Sequence, residues 1–350
     1  MKKKIKVLIV DDSSLFRELL IQSLSAHPDI EVAGYAINAF DAKRKIPILR
    51  PDVITLDVEM PGLNGIEFLK QLLPTNPLPV ILVSSLNLSV FDALSAGAVD
   101  FVRKPDLSAH NSKEIFYSTL AAKIVVASKS KVQTGRSSAS PAAEPQAKSA
   151  ILPTLSTSVI NSTIIGIGAS TGGTEATLAV LKQLPAHMPG IVVTQHMPEG
   201  FTAMYAERLN RLCKLSVKEA KNGDLIRPGQ VLIAPGGMQM EVTRSGMNYS
   251  VRVFPGQKVS GHAPSVDALF TSIAKNVSIN QVGIIMTGMG RDGADGLLQM
   301  RQKGAFTIGQ DKESCVVYGM PMVAYNLGAV AVQASCNNIP SVLMNHLKKM

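Results

Sequence analysis

Between Thr163 and Thr174 the chain reads T-I-I-G-I-G-A-S-T-G-G-T, a pattern with few structural solutions. Its front half, Thr163 to Ile167, is a short apolar run with β-branched residues, and glycines break it where a strand gives way to a helix. The following helix is expected from Glu175 to Leu184, with Leu178, Leu181 and Leu184 at helical spacing. Ser170 therefore sits on a strand-to-helix turn. A hydroxyl there projects from the carboxyl edge of a sheet, and backbone N–H groups at the coming helix N-terminus point at whatever oxygen it attacks.

Three readings fit this turn. It is an ordinary glycine-rich connection, or a dinucleotide fingerprint, or a nucleophile elbow. Gly166 and Gly168 supply G-x-G for the second, but Thr171 holds the third glycine position and no acid ends the next strand. For the third, Gly168 to Gly172 is literally G-x-S-x-G. Downstream, the strand pattern Gly190 to His196 ends in a histidine, which can act as a general base beside a serine. The strand Gln281 to Thr287 runs into G-M-G-R-D-G, a third glycine-rich strand end, carrying Asp292. Taken singly, His196 reads as a satisfied polar residue and Asp292 as a turn or N-cap aspartate. Parallel strands bring their carboxyl ends to one edge, so Ser170, His196 and Asp292 together have the geometry of a triad. Their chain order differs from the Ser, Asp, His order of α/β-hydrolases, which places the constellation on another kind of sheet.

With 350 residues, 46% hydrophobic and 17% charged, the chain can build two cored domains. No apolar run reaches membrane-spanning length, and the basic N-terminus stops its apolar stretch at Asp11-Asp12, so neither a membrane span nor a signal peptide is expected. Cys213, Cys315 and Cys336 are far apart and odd in number, which argues against a disulfide framework or zinc site and for reduced thiols in a cytoplasm. The net charge of +9 is compatible with an acidic protein partner, yet the Lys and Arg residues are dispersed without a nucleic-acid motif and read equally as plain surface charge.

The N-terminal part alternates strand and helix patterns five times, from a strand at Lys6 to Val10 to a helix at Ser112 to Ala127. That alternation predicts a parallel sheet with helices on both faces. Asp11 and Asp12 close the first strand and Asp57 the third, so three carboxylates gather at one edge. Like charges that close repel, and a hard cation such as Mg²⁺ removes the conflict. Ser84 ends the fourth strand and Lys104-Pro105 follows the fifth.

This constellation, with Met60-Pro61 and Gly65 after Asp57, resembles the receiver domain of two-component response regulators, a flavodoxin-like, five-stranded doubly wound fold, over residues 1–125. The resemblance implies Asp57 as phospho-acceptor, with Asp11, Asp12 and Asp57 holding Mg²⁺. It makes Ser84 the hydroxyl that turns to the phosphoryl group, Lys104 its ionic partner and Phe101 the switch aromatic. Gly62-Leu63-Asn64-Gly65 departs from such domains, which often carry an acid before the glycine, and bears on partner choice rather than phosphorylation.

Residues 126–161 are small, polar and proline-bearing without periodicity, which reads as a flexible linker. The domain that follows, 162–350, returns to α/β alternation with a strand-rich middle around Gln230 to Val253. The stretches Gly168 to Gly173, Gln195 to Pro198, Ile233 to Gly236, Pro264 to Asp267, Thr287 to Gly293 and Gly319 to Pro321 resemble the catalytic domain of the chemotaxis protein-glutamate methylesterases, the CheB family. That resemblance covers nearly the full length and implies a Rossmann-like, mostly parallel sheet. It makes Ser170 the nucleophile, His196 the general base and Asp292 its orienting acid, with Thr171 and Met289 giving backbone N–H groups to the oxyanion. Asp267 and His262 lie in matched stretches but are not needed in the triad, and Asp267 is read as structural.

The implied reaction is hydrolysis of γ-glutamyl methyl esters on cytoplasmic chemoreceptor helices, releasing methanol, with deamidation of receptor glutamines. It needs no metal; Mg²⁺ belongs to the receiver. The implied partners are methylated chemoreceptors, touched peripherally at the membrane, and a chemotaxis histidine kinase as phosphodonor, with no nucleic acid. In the family the unphosphorylated receiver packs over the catalytic face and phosphorylation relieves this. Two other readings remain: a receiver-controlled small-molecule esterase, and a non-catalytic regulator binding a nucleotide at the glycine-rich turn.

Overall fold

The computed structural model describes residues 3–85, 89–105, 112–130, 155–246 and 248–350. The chain divides into two compact units, Met1–Ala142 and Ala143–Met350. Most of the stretch read as a linker, 131–154, lies outside the described residues. Its described parts include helix: a first-unit helix runs on to Ala127, and Thr157–Asn161 forms a short helix capped by the Ser156 hydroxyl.

The first unit contains β1 (Ile5–Val10), α1 (Ser14–Ser25), β2 (Ile30–Ala36), α2 (Ala39–Leu49), β3 (Val53–Leu56), α3 (Gly65–Leu72), β4 (Val80–Ser84), α4 (Ser89–Ser95), β5 (Asp100–Arg103) and α5 (Ser112–Ala127). Its five strands pair in parallel in the order β2-β1-β3-β4-β5. A parallel sheet is covered on both faces, so its strands must be apolar throughout, and every residue of β3 and β4 is buried. Helices begin abruptly after strands because short polar residues cap them. Ser13, Asn38 and Asn64 each accept a backbone N–H three residues on. The order reverses between β1 and β3, and at that switch point Asp57 N donates to Val10 O at 2.9 Å, setting Asp11 and Asp57 side by side.

The second unit contains α6 (Thr157–Asn161), β6 (Thr163–Ala169), α7 (Gly173–Gln183), β7 (Gly190–Gln195), α8 (Phe201–Leu212), β8 (Ser216–Glu219), β9 (Gln230–Ile233), β10 (Gln239–Ser245) and β11 (Asn248–Phe254). It continues with α9 (Val266–Asn276), β12 (Asn280–Ile285), α10 (Ala294–Gln302), β13 (Phe306–Gln310), α11 (Met320–Asn326), β14 (Val332–Ala334) and α12 (Ile339–Leu347). Seven strands form one parallel sheet in the order β14-β13-β12-β6-β7-β9-β8. The strand-rich middle separates into β9, which joins the sheet, and β10–β11, an antiparallel hairpin outside it. Strand β6 is central, and the chain leaves it towards β7 on one side and returns as β12 on the other. The ends of β12, β6 and β7 thus form the crevice where such sheets place chemistry.

The glycines of β6 have a packing purpose. A Cβ on Gly166 would lie 2.7 Å from Ile273 Cδ1, and one on Gly168 only 2.1 Å from Val266 Cγ1. Both contacts belong to α9, which lies directly on the bare strand, so these glycines serve helix-on-sheet packing. Because Val266 opens α9, this contact also fixes where the helix N-terminus meets the edge of the sheet. Gly168→Ala is therefore expected to destabilise the second unit by about 1–3 kcal/mol through overpacking. Adding Val266→Ala, which removes the colliding methyl, should recover part of that loss in urea unfolding of the full chain.

Candidate active site

Ser170 follows β6 directly and is fixed from both neighbouring strand ends. On one side Ala169 stands opposite Gln195 in the β6–β7 ladder and His196 N donates to Ala169 O at 3.1 Å, so Ser170 and His196 leave adjacent parallel strands together. On the other, Ser170 N donates to Thr287 O at 3.0 Å in the loop after β12. That loop presses its backbone onto the serine: a Cβ on Gly288 would lie 2.7 Å from Ser170 Cβ. Thr287 is itself held, with Oγ1 donating to Thr171 O at 3.0 Å and accepting from Val317 N at 3.0 Å. The elbow turns through Gly172 at φ 76°, a left-handed conformation that favours glycine. Gln195 Nε2 donates to Ser170 O at 2.8 Å and His196 O at 3.2 Å, tying both carbonyls to one buried amide.

Asp292 completes the group. Its Oδ2 lies 2.7 Å from His196 Nε2 and accepts Val266 N at 2.7 Å, while Oδ1 accepts Ser265 Oγ at 2.7 Å and Asp267 N at 3.0 Å. The carboxylate thus occupies the N-terminus of α9, where unsatisfied N–H groups and the helix dipole favour an anion. Burial alone raises its pKa, but the bonds from His196, Ser265 and Val266 outweigh that and hold the carboxyl below its usual range. An ionised carboxylate only accepts, so Nε2 is the donor, and in the neutral imidazole the lone pair is on Nδ1. That Nδ1 is buried and makes no hydrogen bond. Among the described residues, then, the ring nitrogen without a partner is Nδ1, whereas in the chymotrypsin arrangement the acid binds Nδ1 and leaves Nε2.

Thr171 follows Ser170 in the chain, and Met289 follows Gly288, whose backbone presses against Ser170. Asp267 is spent elsewhere: Oδ1 accepts Gly296 N at 2.8 Å at the start of α10, and Ser260 Oγ donates to Oδ2 at 3.1 Å. Burial, with Asp292 nearby, holds its carboxyl above the usual range. Sequence reasoning passed over Ser265, whose position before an apolar run marks an N-cap, and Gln195, which carries no local sign of its role.

In the first unit the carboxylates of Asp11, Asp12 and Asp57 reach within 4.8 Å of one another. Lys104 Nζ lies 2.6 Å from Asp57 and 3.0 Å from Asp11. Burial, with the charge of Asp11, holds the Asp57 carboxyl above its usual range despite Lys104. Burial works against the Lys104 ammonium as well, but Asp57 and Asp11 outweigh it and hold its pKa up. An all-oxygen set of carboxylates suits a hard divalent cation. Ser84 is buried with its hydroxyl unpartnered, at the end of the strand beside Asp57, and Phe101 is buried two strands along.

A family model for the CheB methylesterase matches residues 165–343, and one for the response regulator receiver domain matches residues 7–111. The chain is 51% identical to a protein-glutamate methylesterase/protein-glutamine glutaminase from Syntrophomonas wolfei, covering 99% of each. It belongs to the CheB family. A relative of the same description from Salmonella typhi is 45% identical over 94% of this chain and 93% of its own. The CheB methylesterase catalytic domain of Thermotoga maritima superposes with a TM-score of 0.51 at 34% identity, covering 52% of this chain and 97% of that one. The expected fold stands: a receiver-type N-terminal sheet and a CheB-type catalytic sheet. Cys213, Cys315 and Cys336 form no disulfide, and among the described residues no helix is long and apolar enough to cross a membrane.

The depressed pKa of Asp292 fixes a sign. A carboxylate titrating lower when folded stabilises the fold above its unfolded pKa, near about 3.9, and the contribution fades as pH falls through the folded value. The gap in urea midpoint between the unsubstituted protein and Asp292→Asn should therefore be constant from about pH 7 to 5 and shrink below about pH 4. A gap that widened on acidification would contradict this.

Proposed function

We propose that this chain hydrolyses γ-glutamyl methyl esters on chemoreceptors, and deamidates receptor glutamines, with Ser170 as nucleophile, His196 as base and Asp292 as orienting acid. The observation that carries the reading is His196 itself, which leaves its strand beside the serine strand end with Nε2 bound to an ionised carboxylate and Nδ1 without a partner among the described residues. Ser170 Oγ attacks the ester carbonyl and gives its proton to Nδ1; the imidazolium is stabilised by Asp292. Backbone N–H groups of Thr171 and Met289 meet the oxyanion, each such donor contributing about 3 kcal/mol. The intermediate collapses, His196 returns the proton to the departing methoxide, and methanol leaves an acyl-Ser170. Water activated by Nδ1 then releases glutamate. With a glutamine side chain the leaving group is ammonia.

The receiver governs this activity. Asp57 accepts the phosphoryl group from a chemotaxis histidine kinase, the metal being held by Asp11, Asp12 and Asp57. Bound there, Mg²⁺ offsets the excess negative charge and that of the incoming phosphoryl oxygens. Lys104 and the Ser84 hydroxyl then have oxygens to pair with, and Phe101 follows Ser84. The setting is the cytoplasm, at the receptor tails.

Methanol release from methylated receptor membranes tests both halves. Ser170→Ala is expected to lower it by at least about 10³-fold. A small phosphodonor with Mg²⁺ should raise release from the unsubstituted protein, and Asp57→Asn or chelation of Mg²⁺ should remove the rise while leaving unstimulated release in place. Release independent of Ser170 would overturn the esterase reading; stimulation that survives Asp57→Asn would overturn the switch.

A further inference from the structure

Asp292 fixes one atom of the His196 ring, and one hydrogen bond does not fix a plane. The terminal χ2 torsion of histidine is broad, so a ring held only at Nε2 can tilt and change where Nδ1 points. A second constraint is present. The His262 ring lies flat against His196, with centroids 3.7 Å apart and planes inclined by 13°. We propose that His262 is a positioning residue of the esterase, whose ring sets the plane of His196 and with it the direction in which Nδ1 takes the serine proton. This rests on the reading of His196 as the base.

The backbone around His262 is organised for that purpose. Val259 and His262 exchange N–H···O bonds of 3.0 and 2.9 Å, closing a tight turn. Gln239, buried at the start of β10, donates from Nε2 to His262 O at 2.9 Å and Gln257 O at 3.0 Å, and its Oε1 accepts Ser265 N at 2.9 Å. One amide thus anchors both ends of a short segment. At one end His262 covers the face of the imidazole, and at the other Ser265, Val266 and Asp267 enclose Asp292. The segment grips the His–Asp pair in two perpendicular directions, in the ring plane through the carboxylate and against the ring face through the stack. When His196 takes the serine proton its charge also meets a π face.

The role needs a flat ring rather than a titrating one, which separates it from a catalytic group. With methylated receptor membranes as substrate and the full chain, His262→Ala is expected to lower kcat by about 10- to 100-fold, the scale of a misplaced reacting group, with KM changed by less than about 2-fold. His262→Phe keeps a flat face and should stay within about 3-fold of the unsubstituted kcat. If His262→Ala unfolds at the assay temperature, His262→Leu replaces it, filling the volume without a flat face, and the same loss is expected. An unchanged kcat, a loss confined to KM, or a Phe variant as impaired as Ala would each overturn the proposal. Ser170→Ala run in parallel keeps the cases apart, because release independent of Ser170 defeats the esterase reading itself, whereas Ser170-dependent release indifferent to His262 defeats only this inference.

Discussion

The second unit depends on where one carboxylate is allowed to sit. Asp292 is almost fully buried and ionised, a combination that costs several kcal/mol unless every lone pair is engaged. Engagement comes from the first turn of α9, through two backbone N–H groups and the Ser265 hydroxyl, with His196 as fourth partner. The position of α9 is therefore as much a part of the site as the aspartate. It is set in turn by the bare glycine face of β6, where a side chain at Gly168 would push Val266 away from the carboxylate. Packing, capping and the polarity of the histidine form one chain of cause, beginning with a glycine in a strand.

The same logic of edges operates in the first unit with the opposite charge balance. There the switch point between β1 and β3 sets Asp11 beside Asp57; Ser13 N at the start of α1 donates to Asp11 Oδ1 at 2.9 Å, and Lys104 Nζ reaches both carboxylates. At one edge the bonds from His196 and the first turn of α9 hold a buried carboxylate below its usual range, and at the other burial, with the charge of Asp11, holds one above it.

Much of this was legible in the sequence, for a reason that applies to parallel sheets in general. Their strands are continuous apolar runs, so each run announces its own carboxyl end, and the residues there are the ones that meet. Asp11, Asp57, Ser84, Ser170 and His196 were readable in this way, and so was Asp292 at the end of a glycine-rich loop. The arrangement of the strands was not. Nothing local says that β12 lies beside β6 while β10 and β11 leave the sheet, because strand order is set by long-range packing. The short helix at Thr157–Asn161 was hidden for a different reason: five residues carry too little periodicity to rise above a polar stretch, although Ser156 is an ordinary N-cap.

What lay beyond the sequence were the residues acting on other residues. Gln195 and His262 lie in matched stretches and Gln239 does not, but the role of each shows only through a partner distant in the chain or a carbonyl that has no sequence. Yet they determine what the legible residues can do. A serine, a histidine and an aspartate at three strand ends are a constellation in which only the pairings decide the chemistry. Once Asp292 takes Nε2, the lone pair must fall on Nδ1. The plane of the ring then decides where this nitrogen points. A fold that binds the far nitrogen therefore needs a constraint on the ring face, which a hydrogen bond in the ring plane cannot supply, and the stacked ring of His262 is the group in place to provide it.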